Sequence, residues 1–317
     1  RGKLELREAI ATHVAQWGLN YNPDSEILVT TGASEAVDLA LRTFVDPGDT
    51  VAVHQPTYIS YKPGVRLAGG EPLAVPTGAA NDFVLTPDSL RAAGAADADA
   101  LIFCYPNNPT GAVMDEAEVA AVAEFCVDND IDVIADEIYA ALTYDGDHTS
   151  IATMPNMRER TVVINGFSKA YAMTGLRLGY AMGPADAIDA MNRVHQYTML
   201  SAPTTAQYAA IEALRSCEES VTEMATAFNR RRRFVLSRFE EMGLDCFTAK
   251  GAFYAFPRCG GDDEAFAENL LAAEGVAVVP GSVFGPGGAG HLRISYATGM
   301  RDLKTAMNRI ESFVADR

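Results

Sequence analysis

Thr161-Val162-Val163-Ile164-Asn165-Gly166-Phe167-Ser168-Lys169-Ala170-Tyr171-Ala172-Met173-Thr174-Gly175-Leu176-Arg177-Leu178-Gly179-Tyr180 is the stretch that decides how this chain folds. It opens on a short run of β-branched residues, which reads as a buried strand. Lys169 follows just past the strand end, and a second cation, Arg177, comes eight residues on. In α/β enzymes the chemistry sits at such strand ends. Lysine in that place is ordinarily a solvated surface cation. It is also the amine that forms Schiff bases with carbonyl compounds. The chain has five lysines against twenty arginines, so a lysine here carries weight.

Other apolar runs repeat the pattern on both sides. Short strands read at Ile27 to Thr30, Thr50 to Val53, Pro72 to Val75, Ala100 to Cys104, Asp132 to Asp136 and Leu178 to Met182. Helical patterns separate most of them. Asp115 to Asp128 is the clearest, with Val119, Val122, Ala123 and Cys126 on one face. A first helix is marked by Leu6, Ile10, Val14 and Trp17. Ser34 reads as the N-cap of a helix from Glu35 to Phe44. Alternating strands and helices imply an α/β fold with a mostly parallel sheet covered on both faces.

After residue 200 the texture changes. Thr204 to Leu214 and Glu218 to Met242 read as helices, the second carrying Arg230-Arg231-Arg232-Arg233 as a solvated face. Gly251 to Phe256, Val276 to Val279 and Leu292 to Tyr296 read as strands of a smaller sheet, closed by a helix from Leu303 to Phe313. The expected boundary lies inside the long helix, near residue 225. It gives a large unit over residues 1–225 and a small α+β unit over 226–317.

Bulk properties narrow the function. Net charge is −17, which argues against nucleic acid or an anionic membrane as the main partner. No apolar run approaches the roughly 20 residues that cross a bilayer. Five cysteines without CxxC spacing indicate a reducing compartment, hence a cytoplasmic protein, and no signal-peptide pattern opens the chain. Five histidines without an HxxxH pair give no metal site. Scarce lysine with abundant acid points to a salt-adapted protein, with an ordinary acidic cytosolic protein as the alternative.

Three loops at strand ends hold unusual combinations. Thr31-Gly32-Ala33-Ser34 joins a strand to a helix N-terminus, which is a ready anion site. Tyr105-Pro106-Asn107-Asn108-Pro109-Thr110-Gly111 is alone no more than a turn. Asp136 ends an apolar strand, where its charge would be costly unless a cation lay opposite. Together with Ser168-Lys169-Ala170-Tyr171-Ala172-Met173-Thr174-Gly175-Leu176-Arg177-Leu178-Gly179 and Asp136-Glu137-Ile138-Tyr139, in this order, they resemble the class I/II aminotransferases. These are pyridoxal-phosphate enzymes of fold type I, and within them the chain resembles the prokaryotic aspartate and aromatic amino acid aminotransferases.

The resemblance runs from residue 3 to the end and implies a seven-stranded sheet, pyridoxal 5'-phosphate as cofactor, and a homodimer with shared active sites. It implies that Lys169 carries the cofactor as an internal aldimine and later moves a proton. Arg177, Ala33 and Ser34 would hold the phosphate, with Ser168 as a helper. Asp136 would pair with the pyridine nitrogen, Asn108 and Tyr139 with the phenolic oxygen, and Tyr58 with the ring face. Arg293 and Asn108 would bind the substrate, Arg293 through its α-carboxylate. The partners would then be amino acids and 2-oxo acids.

Two departures bear on specificity. The family carries a further segment before the first helix here, with substrate-side residues and a tyrosine that reaches the neighbouring subunit. The loop from Tyr197 to Pro203 lacks the arginine that binds a side-chain carboxylate in one aspartate-specific subgroup. The leading expectation is amino transfer from aspartate or an aromatic amino acid to 2-oxoglutarate. A carbon–sulfur β-lyase on the same fold is the nearest alternative, and a non-catalytic effector-binding domain is another.

Overall fold

The structure is a computed structural model and describes residues 1–315. Among the described residues ten strands form two sheets. The strands are β1 (Ile27–Thr30), β2 (Thr50–Gln55), β3 (Glu71–Pro76), β4 (Ala100–Phe103), β5 (Asp132–Asp136), β6 (Thr161–Gly166), β7 (Gly179–Met182), β8 (Tyr254–Ala255), β9 (Val279–Pro280) and β10 (Leu292–Ser295). The helices are α1 (Leu4–Val14), α2 (Ala33–Phe44), α3 (Tyr61–Ala68), α4 (Pro87–Ala92), α5 (Glu116–Asp128), α6 (Ala185–Thr198), α7 (Thr204–Ser216), α8 (Glu218–Glu241), α9 (Asp263–Glu274) and α10 (Met300–Ala315).

The large sheet has the order β1-β7-β6-β5-β4-β2-β3. The strands from β2 to β6 pair in parallel, and β7 alone runs antiparallel to its neighbours β1 and β6. Alternation along every strand but the edge strand β3 divides the side chains between two cores. Val29, Leu101, Val133, Val163 and Met182 pack on one face, together with Leu6, Ile10 and Phe125. Leu28, Ile102, Ile134, Ile164 and Ala181 pack on the other, with Val37, Leu41 and Ile188. A sheet buried on both faces needs near-continuous apolar strands, which is what these runs supply.

The antiparallel β7 makes residues 167–178 a hairpin link, with Asn165 opposite Tyr180 and Gly166 opposite Gly179. A Cβ on Gly179 would collide with the Ala33 nitrogen, so the start of α2 comes down on β7 only because glycine is there. All parallel strands direct their carboxyl ends to the edge where this link begins.

The small sheet has the order β8-β10-β9, all antiparallel. Its strands are shorter than the apolar runs suggest. A third core joins Phe228, Val235 and Phe239 of α8 to Phe266, Leu270, Leu292, Ile294, Leu303 and Met307. The loop after β4 is tied to the segment before β8 at Gly111, whose carbonyl accepts from the Lys250 and Gly251 amides at 3.0 and 2.9 Å. Gly111 has φ 74°, and a Cβ there would meet that of Ala249 at 2.7 Å. This contact carries the Asn108 loop up against the small sheet.

Three expectations are corrected. The helix after β1 begins at Ala33, not Glu35, and its N-cap is Gly32 (φ 78°, ψ 164°), not Ser34. The backbone needs a positive φ at that position, which a serine would resist. The stretch 197–203 is not all loop, because α6 runs through Thr198. The arginine run on α8 is not wholly solvated. Arg232 is buried, and its Nη1 donates to Asp145 Oδ2 at 2.5 Å and to the Ala249 carbonyl at 2.6 Å. Four consecutive helical positions sweep most of the circumference, so one of them has to point inward.

Candidate active site

The carboxyl ends of the parallel strands and the small sheet enclose a cavity of about 660 Å³. All ten residues singled out in the sequence line it: Ala33, Ser34, Tyr58, Asn108, Asp136, Tyr139, Ser168, Lys169, Arg177 and Arg293. They come from six separate segments, brought together by the strand order.

Lys169 stands in the hairpin link beyond β6 and is half-buried. Its Nζ lies 5.6 Å from the ring centre of Tyr139 and 5.4 Å from that of Phe253. Burial lowers its pKa from the ordinary lysine value; Asp136 opposes this, and Arg177 and Arg293 add to it. The shift is toward the neutral amine, the form that attacks a carbonyl carbon.

Asp136 ends β5 and is buried. Its Oδ2 accepts from the Tyr61 hydroxyl at 2.7 Å and its Oδ1 from the Ile138 amide at 3.2 Å. Among the described residues no cation forms a salt bridge with it. Burial raises its pKa, and the two hydrogen bonds only partly offset that. A buried carboxylate held this way calls for a cationic N–H in the cavity. A protonated pyridine nitrogen meets that need.

The opposite wall belongs to Tyr139 and Arg293. The Tyr139 hydroxyl is 2.8 Å from that of Tyr254. Arg293 Nη1 donates to Asn108 Oδ1 at 3.0 Å, and the guanidinium lies 5.0 Å and 4.9 Å from the ring centres of Tyr254 and Phe284. Its Nε is buried without a hydrogen-bond partner among the described residues. The aromatic faces hold the fork, and its remaining donors suit a planar carboxylate. Tyr58 meets Tyr61 edge-on, with ring centres 5.6 Å apart.

The third wall is an anion cup. No side chain caps the first turn of α2, so its leading amides remain available. Arg177 takes a left-handed backbone (φ 51°), and its Nη1 donates to the Thr174 carbonyl at 2.9 Å. A Cβ on Gly32 would stand 2.5 Å from Arg177 Nη2, so glycine lets the guanidinium lie against the turn. Open amides beside an arginine fit a phosphate dianion.

A model of the family described as aminotransferase class I and II matches residues 1–310. The chain belongs to this family. It is 47% identical over 317 residues to a putative aminotransferase, YugH, of Bacillus subtilis, covering 99% of this chain and 82% of that protein. It is 42% identical to an aspartate aminotransferase of Pyrococcus abyssi, covering 100% of this chain and 83% of that one. The solved structure of an aromatic aminotransferase from Pyrococcus horikoshii superposes with a TM-score of 0.97 at 42% identity, covering 100% of this chain and 87% of that chain. The chain is thus an aminotransferase of fold type I that uses pyridoxal phosphate, with amino acids and 2-oxo acids as substrates. The cavity's chemistry fits that cofactor on three counts: the only partly compensated Asp136, the desolvated Lys169 and the anion cup.

Sequence reasoning missed Tyr61 and Tyr254, which hold Asp136 and Tyr139 from 75 and 115 residues away. The only signal was position: Tyr61 stands three residues beyond Tyr58, and Tyr254 lies within a predicted strand.

Proposed function

We propose that this aminotransferase moves the amino group of aspartate or an aromatic amino acid to 2-oxoglutarate, with Lys169 as the catalytic amine. One observation carries the reading: ten residues from six separate segments line one cavity, and the lysine among them feels both a buried aspartate and an arginine with a donor to spare. The names of the relatives support both donor classes.

In this reading Ala33, Ser34, Ser168 and Arg177 hold the cofactor's phosphate, Asp136 its ring nitrogen, Asn108 and Tyr139 its phenolic oxygen, and Tyr58 its ring face. Bound there, pyridoxal phosphate supplies an electron sink for negative charge at the substrate's Cα. Arg293 binds the substrate α-carboxylate and fixes which Cα bond faces Lys169. The Lys169 amine takes the Cα proton and returns it on the other side of the reaction, a task suited to an amine whose pKa burial has lowered. Asp136 keeps a proton on the ring nitrogen. Tyr254 positions Tyr139, and Tyr61 positions Asp136.

We also place a boundary between a large unit, residues 1–225, and a small unit, residues 226–317, inside α8. Further parts of the proposal are a homodimer with shared active sites, a cytoplasmic location and adaptation to high salt. Among the described residues no helix is long and apolar enough to cross a membrane. A steady-state assay in high salt tests the reaction. Transfer of the amino group to 2-oxoglutarate without ammonia release is expected. Pyruvate and ammonia from cystathionine, with no transfer, would show a β-lyase instead.

A further inference from the structure

One buried histidine–carboxylate contact beside the cavity has no part in that mechanism. Glu35 stands in the first turn of α2, the turn that forms the anion cup, and is 9% exposed. One of its carboxylate oxygens accepts from the Thr31 amide. The other lies 2.6 Å from Nδ1 of His195, which is 1% exposed on α6 and 160 residues away in sequence. The second ring nitrogen of His195 is buried without a hydrogen-bond partner among the described residues. Among those residues the ring therefore makes one polar side-chain contact, and that contact is Glu35.

A carboxylate in a helix's first turn is drawn to the same positive end that binds a phosphate. Glu35 does not compete here, because it is turned back onto Thr31, upstream of the Gly32 cap. The third residue of a capping box reaches back in a similar way, while the cap side chain takes a first-turn amide in return. Gly32 has no side chain to do so, and the leading amides stay open. Burial works to raise the Glu35 pKa, yet the bonds from His195 and Thr31 outweigh it and hold the carboxyl below its usual range. The carboxylate is thus kept ionised and in place.

We propose that Glu35 and His195 are positioning residues for the phosphate cup: His195 holds the Glu35 carboxylate on the Thr31 amide, which fixes the turn from Thr31 to Ser34 and leaves its amides to the phosphate. The inference rests on the cofactor placement above. Neither residue touches the cofactor, and both act through the turn.

The test compares binding of pyridoxal phosphate and of pyridoxal, which lacks the phosphate, to the full chain freed of cofactor. His195→Leu should weaken pyridoxal phosphate on the order of tenfold and leave pyridoxal within about twofold of wild type. His195→Asn, whose amide nitrogen can replace Nδ1, should recover most of the loss. Glu35→Gln should give a smaller loss with the same selectivity. Equal weakening of both ligands would mean a general structural role and would overturn the proposal, as would wild-type phosphate affinity in His195→Leu. Should that variant fail to fold, Glu35→Gln decides by the same criterion. A wild-type chain that takes up neither ligand would overturn the cofactor placement itself, and this inference with it.

Discussion

Asp136 and Glu137 are neighbours in sequence, both buried, and they face opposite surroundings. The Glu137 carboxylate is fully served by the protein: His148 Nε2 lies 2.9 Å from one oxygen and the Ser150 hydroxyl donates to the other at 2.6 Å. Asp136 faces the cavity with one tyrosine hydroxyl and one amide of its own turn. Glu137 is complete without a ligand, whereas Asp136 is not. The difference separates the proposed cofactor partner, Asp136, from Glu137 where burial does not, since both are buried. A charge that the fold leaves under-compensated at a cavity wall is one that a ligand is meant to complete.

The largest effect that could break this comparison is at Asp136. Asp136→Asn should cost about a hundred- to ten-thousandfold in kcat/KM. The cofactor-free variant should melt higher than the wild type, because an under-compensated buried carboxylate has gone. Glu137→Ala should do the reverse. It strands His148 and Ser150 and should destabilise the chain by about 3–5 kcal/mol, read by chemical denaturation. Turnover per folded molecule should stay within severalfold of wild type. Loss of turnover without loss of stability in Glu137→Ala would abolish the contrast.

Tyr61→Phe sharpens the comparison at smaller scale. It removes the one side-chain hydrogen bond to Asp136 and should lower kcat/KM on the order of tenfold with little change in melting temperature. The smallest effect is in the pH dependence of the cofactor-free chain. Burial raises the Asp136 pKa. The native chain therefore keeps a proton that the unfolded chain releases, and stability is lost as pH rises from the ordinary carboxylate range through the raised value. The melting temperature of wild type minus that of Asp136→Asn should fall as pH climbs through that window. A flat difference would show that the carboxylate is compensated after all.

The seven strands of the large sheet were legible because each is a short apolar run between turn residues, and all but the edge strand β3 are buried on both faces. The direction of β7 was not, since periodicity carries no sense of parallel or antiparallel. That direction makes the Lys169 segment a hairpin link, not a crossover. The ten residues that line the cavity were singled out through short loop patterns and, for Tyr58 and Arg293, through the family resemblance alone. Tyr61, Tyr254 and His195 were not, because what each does depends on a partner 75, 115 or 160 residues away. Ser34 looked like a cap on residue type alone, but the φ of Gly32 moves the helix start two residues earlier. Arg232 was hidden within a run of like charges and declares itself through its distant partners Asp145 and Ala249.

The central claim is that Lys169 is the amine that holds the cofactor. Borohydride reduction of the cofactor-loaded enzyme, followed by peptide mapping, tests it directly, and five lysines make the outcome unambiguous. The account predicts the phosphopyridoxyl group on the peptide containing Lys169 and its loss, with turnover, in Lys169→Ala. The label on Lys3, Lys62, Lys250 or Lys304, or turnover that survives in Lys169→Ala, would contradict it.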